Sequence, residues 1–285
     1  MKLHSLVHEN FKLDGGAMFG VVPKVIWQRT NPADEDNLID MATRSLLIED
    51  GDRLILIDTG MGNKQSEKFF GYYKPSNRGG LQRKLKELGY TENDITDVVM
   101  THLHFDHCGG SVIRDDAGNL KPAFPRARYW TNEAHWQWAV YPNAREKASF
   151  LKENFIPLQE AGVLHFVPLP EKGNRLHFPE LNMDFIFVDG HTEKQMLPLL
   201  DLNGKKLLYM ADLLPTAGHI PLPYVMGYDV RPLVTLQEKE AILQQATDEK
   251  WYLFLEHDPV NEIIQLKHTE KGPRLDRTLT LQEIK

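Results

Sequence analysis

The sequence predicts a layered α/β fold built as a single domain over residues 1–285. Three observations predict it. Short buried strands alternate with helical stretches. Five of those strands end in Asp or His, at Asp58, His102, His191, Asp212 and His257. No repeat, linker or low-complexity segment divides the 285 residues. Polar side chains gathered at strand ends mark where such folds place their sites.

The elements follow in order. Residues 1–40 read as a cover segment, whose stretch Ala17 to Trp27 is apolar and carries Pro and Gly. One reading is a strand pair over the core. The other is an apolar flap or dimer contact, with Met18, Phe19 and Trp27 exposed to clasp an acyl chain or aryl group. Ser45 to Glu49 and Leu54 to Ile57 form a hairpin about Asp50-Gly51-Asp52. The second strand is apolar at successive positions, hence buried on both faces, and runs into Asp58-Thr59-Gly60. Leu81, Leu85 and Leu88 recur at helical spacing, and Gly89 stops that helix. Asp97 to Met100 is a buried strand feeding Thr101-His102-Leu103-His104. Thr131 to Val140 reads as a helix in which at least one of Trp136 and Trp138 is core. Met183 to Val188 is a strand ending at Asp189-Gly190-His191. Gln195 to Leu200 and Lys206 to Met210 pair across Asn203-Gly204, and the second ends at Ala211-Asp212. Thr235 and Glu238 form a capping box for a helix through about Glu249. Trp251 to Leu255 is the last strand and ends at Glu256-His257-Asp258.

Composition excludes several function classes. Hydrophobic residues are 41% and charged residues 26%, an ordinary globular balance. Mean hydropathy is -0.42, and no apolar run approaches the roughly 20 residues of a membrane span. The N-terminal stretch has no continuous apolar region of the secretory kind. The lone Cys108 excludes an intramolecular disulfide and a multi-cysteine zinc ribbon. Together these read as a cytoplasmic protein without a membrane partner. A net charge of -7, with no Lys/Arg-rich run, argues against a nucleic-acid partner.

His102, His104, Asp106 and His107 lie within six residues. Strand period two puts His102 and His104 on one side, so they can bind one ion together. Asp106 and His107 fall where the chain turns and can address a second ion. Imidazole and carboxylate donors suit zinc, and also iron or manganese. Gly109 and Gly110 then let the backbone turn tightly. Taken singly, His191 is a turn histidine, Asp212 a helix cap and Asp58 the start of a turn. His257 alone carries little, but the joint order after buried strands favours ligands at His191, Asp212 and His257.

The segment Thr101 to Gly110 resembles the signature of the metallo-β-lactamase superfamily of metal-dependent hydrolases. Asp58 in Ile57-Asp58-Thr59-Gly60, His191 in Gly190-His191-Thr192, Asp212 in Met210-Ala211-Asp212 and His257 in Glu256-His257-Asp258 are similar to its other motifs, in the same order. The resemblance implies a four-layer αββα sandwich with two divalent metal ions, zinc first and manganese or iron next. It implies that His102, His104 and His191 hold one ion, that Asp106, His107 and His257 hold the other, and that Asp212 bridges them. Asp58 would stand behind the ligands and fix the loop by hydrogen bonds. A bridging hydroxide would attack a carbonyl carbon or phosphorus, with Asp106 orienting it and passing its proton on.

Locally the chain is most similar to the acyl-homoserine lactonases and the methyl parathion hydrolase-like group. One departure stands out. Those lactonases carry a Tyr three positions after the bridging Asp, and here Pro215 stands there. Tyr224 or Tyr228 is an alternative phenol. The expected activity is hydrolysis of an ester or lactone, or of a phosphotriester, on a small-molecule substrate. Phe19, Trp27, Leu214 and Tyr224 are the candidate pocket walls. The alternatives are a glyoxalase II-like thioesterase using Lys267, Lys271, Arg274 and Arg277 for glutathione, a phosphodiesterase, or a non-catalytic binding module. The resemblance leaves a homodimer open, and no residue specifies one.

Overall fold

A computed structural model describes residues 1–284. The chain divides into two compact units, Met1–Phe11 with Thr43–Glu171, and Lys12–Ala42 with Lys172–Lys285. Among the described residues no helix is long and apolar enough to cross a membrane.

The first unit centres on a six-stranded sheet in the order Lys2–Asp14, Leu38–Asp50, Arg53–Ile57, Asp97–Val99, Arg128–Thr131 and Leu164–Phe166. The expected hairpin is present, with Leu46 opposite Ile57 and Asp50 opposite Arg53. From Arg53–Ile57 onward the pairs are parallel. Parallel strands are buried on both faces, which is why Leu54 to Ile57 reads as an unbroken apolar run. The helix Gly80–Glu87 turns Leu81 and Leu85 into the core beside Leu56, Val98 and Tyr129. Gly89 follows it at φ 86°, the left-handed turn that favours glycine. The Thr131 to Val140 stretch is shorter as a helix than expected. Thr131 completes a strand, and Asn132 caps the helix Glu133–Val140 by accepting from His135 N. Trp136 is the buried one of the two tryptophans.

The second unit carries a seven-stranded sheet in the order Arg274–Leu279, Ile263–Lys267, Tyr252–Phe254, Lys205–Tyr209, Gln195–Leu202, Met183–Val188 and Arg175–Phe178. All pairs are antiparallel except Lys205–Tyr209 with Tyr252–Phe254. These two strands therefore deliver their C-terminal ends, which lead to Asp212 and His257, to the same edge. The helix Pro232–Asp248 buries Ile242, Leu243 and Ala246.

Three expectations about this unit are corrected. First, Ala17 to Trp27 is not a strand pair but two short helices, Gly15–Phe19 and Lys24–Trp27. Asp14 starts the first by accepting from Ala17 N at 2.7 Å, and Pro23 opens the second. Second, Met18, Phe19 and Trp27 are buried, not an exposed clasp. Phe19 stacks on Trp27 at 5.2 Å and on His219 at 4.2 Å. Leu214 is also fully buried, so of the four expected pocket walls only Tyr224 keeps accessible surface. Third, the helix begins at Pro232, and Glu238 does not close a capping box. Its carboxylate accepts from Asp189 N at 2.7 Å and Gly190 N at 3.0 Å, tying down the turn before His191. Gly190 allows this close packing, since a Cβ there would overlap the backbone of Thr235.

His219 is structural. Its Nε2 donates to Met18 O at 2.9 Å and its Nδ1 accepts from Thr216 Oγ1 at 2.8 Å. Burial holds the ring neutral by lowering its pKa to about 4. The unfolded chain takes up a proton below about pH 6.5, while the folded ring does not until about 4. Stability is therefore lost as pH falls through that window, with a limiting slope of about 1.4 kcal/mol per pH unit. Unfolding midpoints between pH 4 and 6.5 are expected to fall less steeply in His219→Gln. An unchanged slope in the variant would remove His219 from the acid response.

Candidate metal centre

In the first unit the strand Asp97–Val99 hands the chain to Thr101, whose neighbour across the sheet is Asp58, at the end of Arg53–Ile57. Asp58 sits at φ 55°, a left-handed conformation that costs a non-glycine residue on the order of 1 kcal/mol or more. The strain is offset by three hydrogen bonds. Asp58 Oδ1 accepts from Thr101 N at 2.8 Å, and Oδ2 from Thr101 Oγ1 at 2.6 Å and His107 Nδ1 at 3.1 Å. With its proton given to Asp58, Thr101 Oγ1 accepts from His102 Nδ1 at 3.1 Å. His104 caps the short helix Phe105–Cys108, which holds Asp106 in its first turn. The His104 Nε2 lies 3.5 Å from Glu146 Oε1.

These contacts fix which nitrogen each ring can offer. His102 and His107 present Nε2, and His104 presents Nδ1. His102 Nε2 and His104 Nδ1 stand 3.0 Å apart. Two lone pairs converging at that distance repel unless a proton or cation lies between them.

Gly109 and Gly110 serve close approach rather than a special turn. Gly109 has φ -58°, an ordinary helical value, but a Cβ on it would overlap Met61 O, and one on Gly110 would overlap Thr59 O. The buried Lys64 donates to Gly109 O and pins the same loop. Cys108 is packed, with its Sγ 3.3 Å from Leu103 O and its thiol pushed up to about 12 by burial.

In the second unit Asp212 lies on a 3-10 turn, Ala211–Leu213, entered through Ala211 at φ 40°. One of its oxygens is 3.1 Å from His191 Nε2 and the other 3.2 Å from His257 Nε2. The far side of each ring is engaged as well. His191 Nδ1 donates to Asp229 at 2.9 Å and His257 Nδ1 to Ala42 O at 2.8 Å. A carboxylate with one oxygen toward each of two imidazole nitrogens is disposed to bridge two cations. Burial penalises charge on His191. The carboxylates of Asp212 and Asp229 more than offset that, and its pKa is raised to about 10. The pull that holds a proton there acts more strongly on a divalent ion.

The donor set of each unit thus fits a divalent cation. It consists of buried imidazoles and carboxylates, with the outer nitrogens anchored and the inner ones converging. The sequence-predicted ligands divide between the units, with His102, His104, Asp106 and His107 in the first and His191, Asp212 and His257 in the second. Four supporting residues were not anticipated. Asp229, Glu146 and Glu238 act from distant positions with no motif. Tyr73 ends the helix Glu67–Tyr73, packs on Phe105 at 4.7 Å, and has its phenol raised to about 12 by burial and then by the charge of Asp106.

Fold and donor geometry define a metal-binding α/β protein, and the comparison with known families agrees. The chain belongs to the metallo-beta-lactamase superfamily, whose family model matches residues 39–257. It is similar to the N-acyl homoserine lactonase of Bacillus cereus, 28% identical over 131 residues, covering 42% of this chain and 46% of that protein. It is also similar to a "probable metallo-hydrolase" of Mycobacterium tuberculosis, Rv2300c, 31% identical over 114 residues, covering 37% and 34%. The chain spans about a third to a half of the length of the curated relatives it matches. Among solved structures, a probable metal-dependent hydrolase from Staphylococcus aureus matches with a TM-score of 0.83 and 28% identity over 98% of both chains. AidC, described as a dizinc quorum-quenching lactonase in complex with its product, matches with a TM-score of 0.79 and 22% identity, covering 98% of this chain and 95% of that one. The likeness to AidC shows the fold alone, a metallo-β-lactamase α/β sandwich.

Proposed function

We propose that this protein is a metal-dependent hydrolase that opens a lactone or cleaves an ester of a small, fairly apolar molecule. In this reading His102, His104 and His191 would hold one divalent ion, Asp106, His107 and His257 would hold a second, and Asp212 would serve both. Zinc suits these donors, with manganese and iron next. The observation that carries the reading is the anchoring of the imidazoles. His102, His107, His191 and His257 are each tied at Nδ1, and His104 is turned the other way toward Glu146. Such outer contacts set the tautomer and raise the basicity of metal-ligating histidines.

When bound, divalent ions supply a water ionised near neutral pH and a Lewis acid for the carbonyl oxygen. The chain's own groups do the rest. Asp106, under 10% exposed, orients the attacking water and passes its proton to the leaving oxygen. Tyr73 offers a phenol near Asp106, where the chain lacks the lactonase Tyr at Pro215. Asp229 and Glu238 keep His191 in place.

Less supports the thioesterase alternative. In the hairpin pairing, Ile263 lies opposite Phe254 and leads toward the His257 end, while Lys267 and Arg274 pair at the other end. Lys267 thus lies at the end of the hairpin away from Ile263, and Arg277 donates to Gln265 Oε1 at 2.6–2.9 Å.

The test is proton release from a medium-chain acyl lactone by metal-loaded protein, with His191→Ala as the blank. Rapid release by the wild type and none by the variant is the expected result. Equal release by both would overturn the reading. No release from a wild type that holds two ions would move the activity to thioesters or phosphoesters.

A further inference from the structure

We propose that the unit formed by Lys12–Ala42 and Lys172–Lys285 carries a second ligand site, a cavity that takes a monocarboxylate with an apolar tail. The inference does not rest on the catalytic reading, since none of the seven candidate metal ligands lines this cavity.

Size, surface and charge point the same way. The cavity holds about 660 Å³, within the roughly 300–1,000 Å³ of small-molecule sites. Its walls include Ile26, Val260 and Leu275, which are 42%, 83% and 38% exposed. Scattered surface hydrophobics need no explanation, but three that converge on one concavity do. The acids in the lining are already satisfied. Asp40 pairs with Lys12 at 2.8 Å. Asp258 accepts from Ala217 N, Val260 N, Asn261 N and Asn261 Nδ2 at 2.7–3.1 Å. Two cations also line the cavity, Arg29 and Arg274. Arg274 donates to the carbonyl of Pro273, and neither guanidinium has a carboxylate partner among the described residues.

Lys12 also reaches Asp34, at 3.3 Å, and the donors on Asp258 are neutral, so what the lining offers a ligand is hydrogen-bonding capacity on its two guanidinium forks, which match a carboxylate in two parallel hydrogen bonds. The apolar walls beside them suit a hydrocarbon tail and disfavour a compact, strongly hydrated dianion such as phosphate.

The test is equilibrium dialysis of labelled decanoate against metal-loaded wild type, His191→Ala and the double variant Arg29→Gln/Arg274→Gln, with decanol as the uncharged control. One decanoate per chain is expected for the wild type and for His191→Ala. Binding at least tenfold weaker is expected for the double variant, and for decanol on the wild type. Binding lost in His191→Ala but kept in the double variant would assign the carboxylate to the metal centre and overturn the proposal. Equal affinity for decanol, or no saturable binding by the wild type, would overturn it as well.

Discussion

Asp212→Ala is expected to lower turnover by on the order of 10²–10³-fold or more, the scale on which a single electrostatic group at a reacting centre acts, and to lower metal content with it. Asp212 places one oxygen 3.1 Å from His191 Nε2 and the other 3.2 Å from His257 Nε2. Removing it takes away a carboxylate drawn toward both nitrogens, while Asp229 still holds the far side of His191. Asp212→Asn would retain the shape and one neutral acceptor, so it should fall between wild type and alanine in metal content. Full turnover from Asp212→Ala would refute the bridging role.

Asp58→Asn is the second large effect. The residue is fully buried, and its carboxylate is held by direct hydrogen bonds from Thr101 and His107. An amide NH₂ in place of Oδ2 would face two donors, the Thr101 hydroxyl and His107 Nδ1–H. Leaving such groups unsatisfied costs about 1–3 kcal/mol. Loss of an outer contact of this kind weakens metal binding by roughly 10–100-fold. Competitive titration with a chelator should show that weakening in Asp58→Asn, together with a lowered unfolding midpoint. Unchanged metal affinity would reduce Asp58 to a loop-packing residue.

Much of the fold was legible because its signals are local. The run Leu54 to Ile57 is apolar on both faces and ends at Asp58, and Leu81 with Leu85 marks one helix face. The candidate ligands stood out for a related reason. His102, His104, Asp106 and His107 sit within six residues, and His191, Asp212 and His257 each close a buried strand.

What escaped was either non-local or too short to have a period. Asp229 reaches His191 across 38 positions and Glu238 reaches Gly190 across 48, so neither has a neighbouring motif. Glu238 instead resembled the third residue of a capping box, a local pattern that a tertiary contact overrode. The helices Gly15–Phe19 and Lys24–Trp27 span five and four residues, too few for an apolar stripe to repeat. The strand Lys2–Asp14 was hidden by His4, His8 and Glu9. Of these, His8 and Glu9 are buried, with His8 bonded to Ser45 and Glu9 accepting from Met61 N and Gly79 N.

The proposed function requires that the seven candidate ligands take up two divalent ions. Elemental analysis of reconstituted, buffer-exchanged protein measures this, with Asp212→Ala and His191→Ala alongside. Two divalent ions per chain are expected in the wild type and fewer in each variant. Less than one ion per chain in the wild type, or two in every variant, would contradict it.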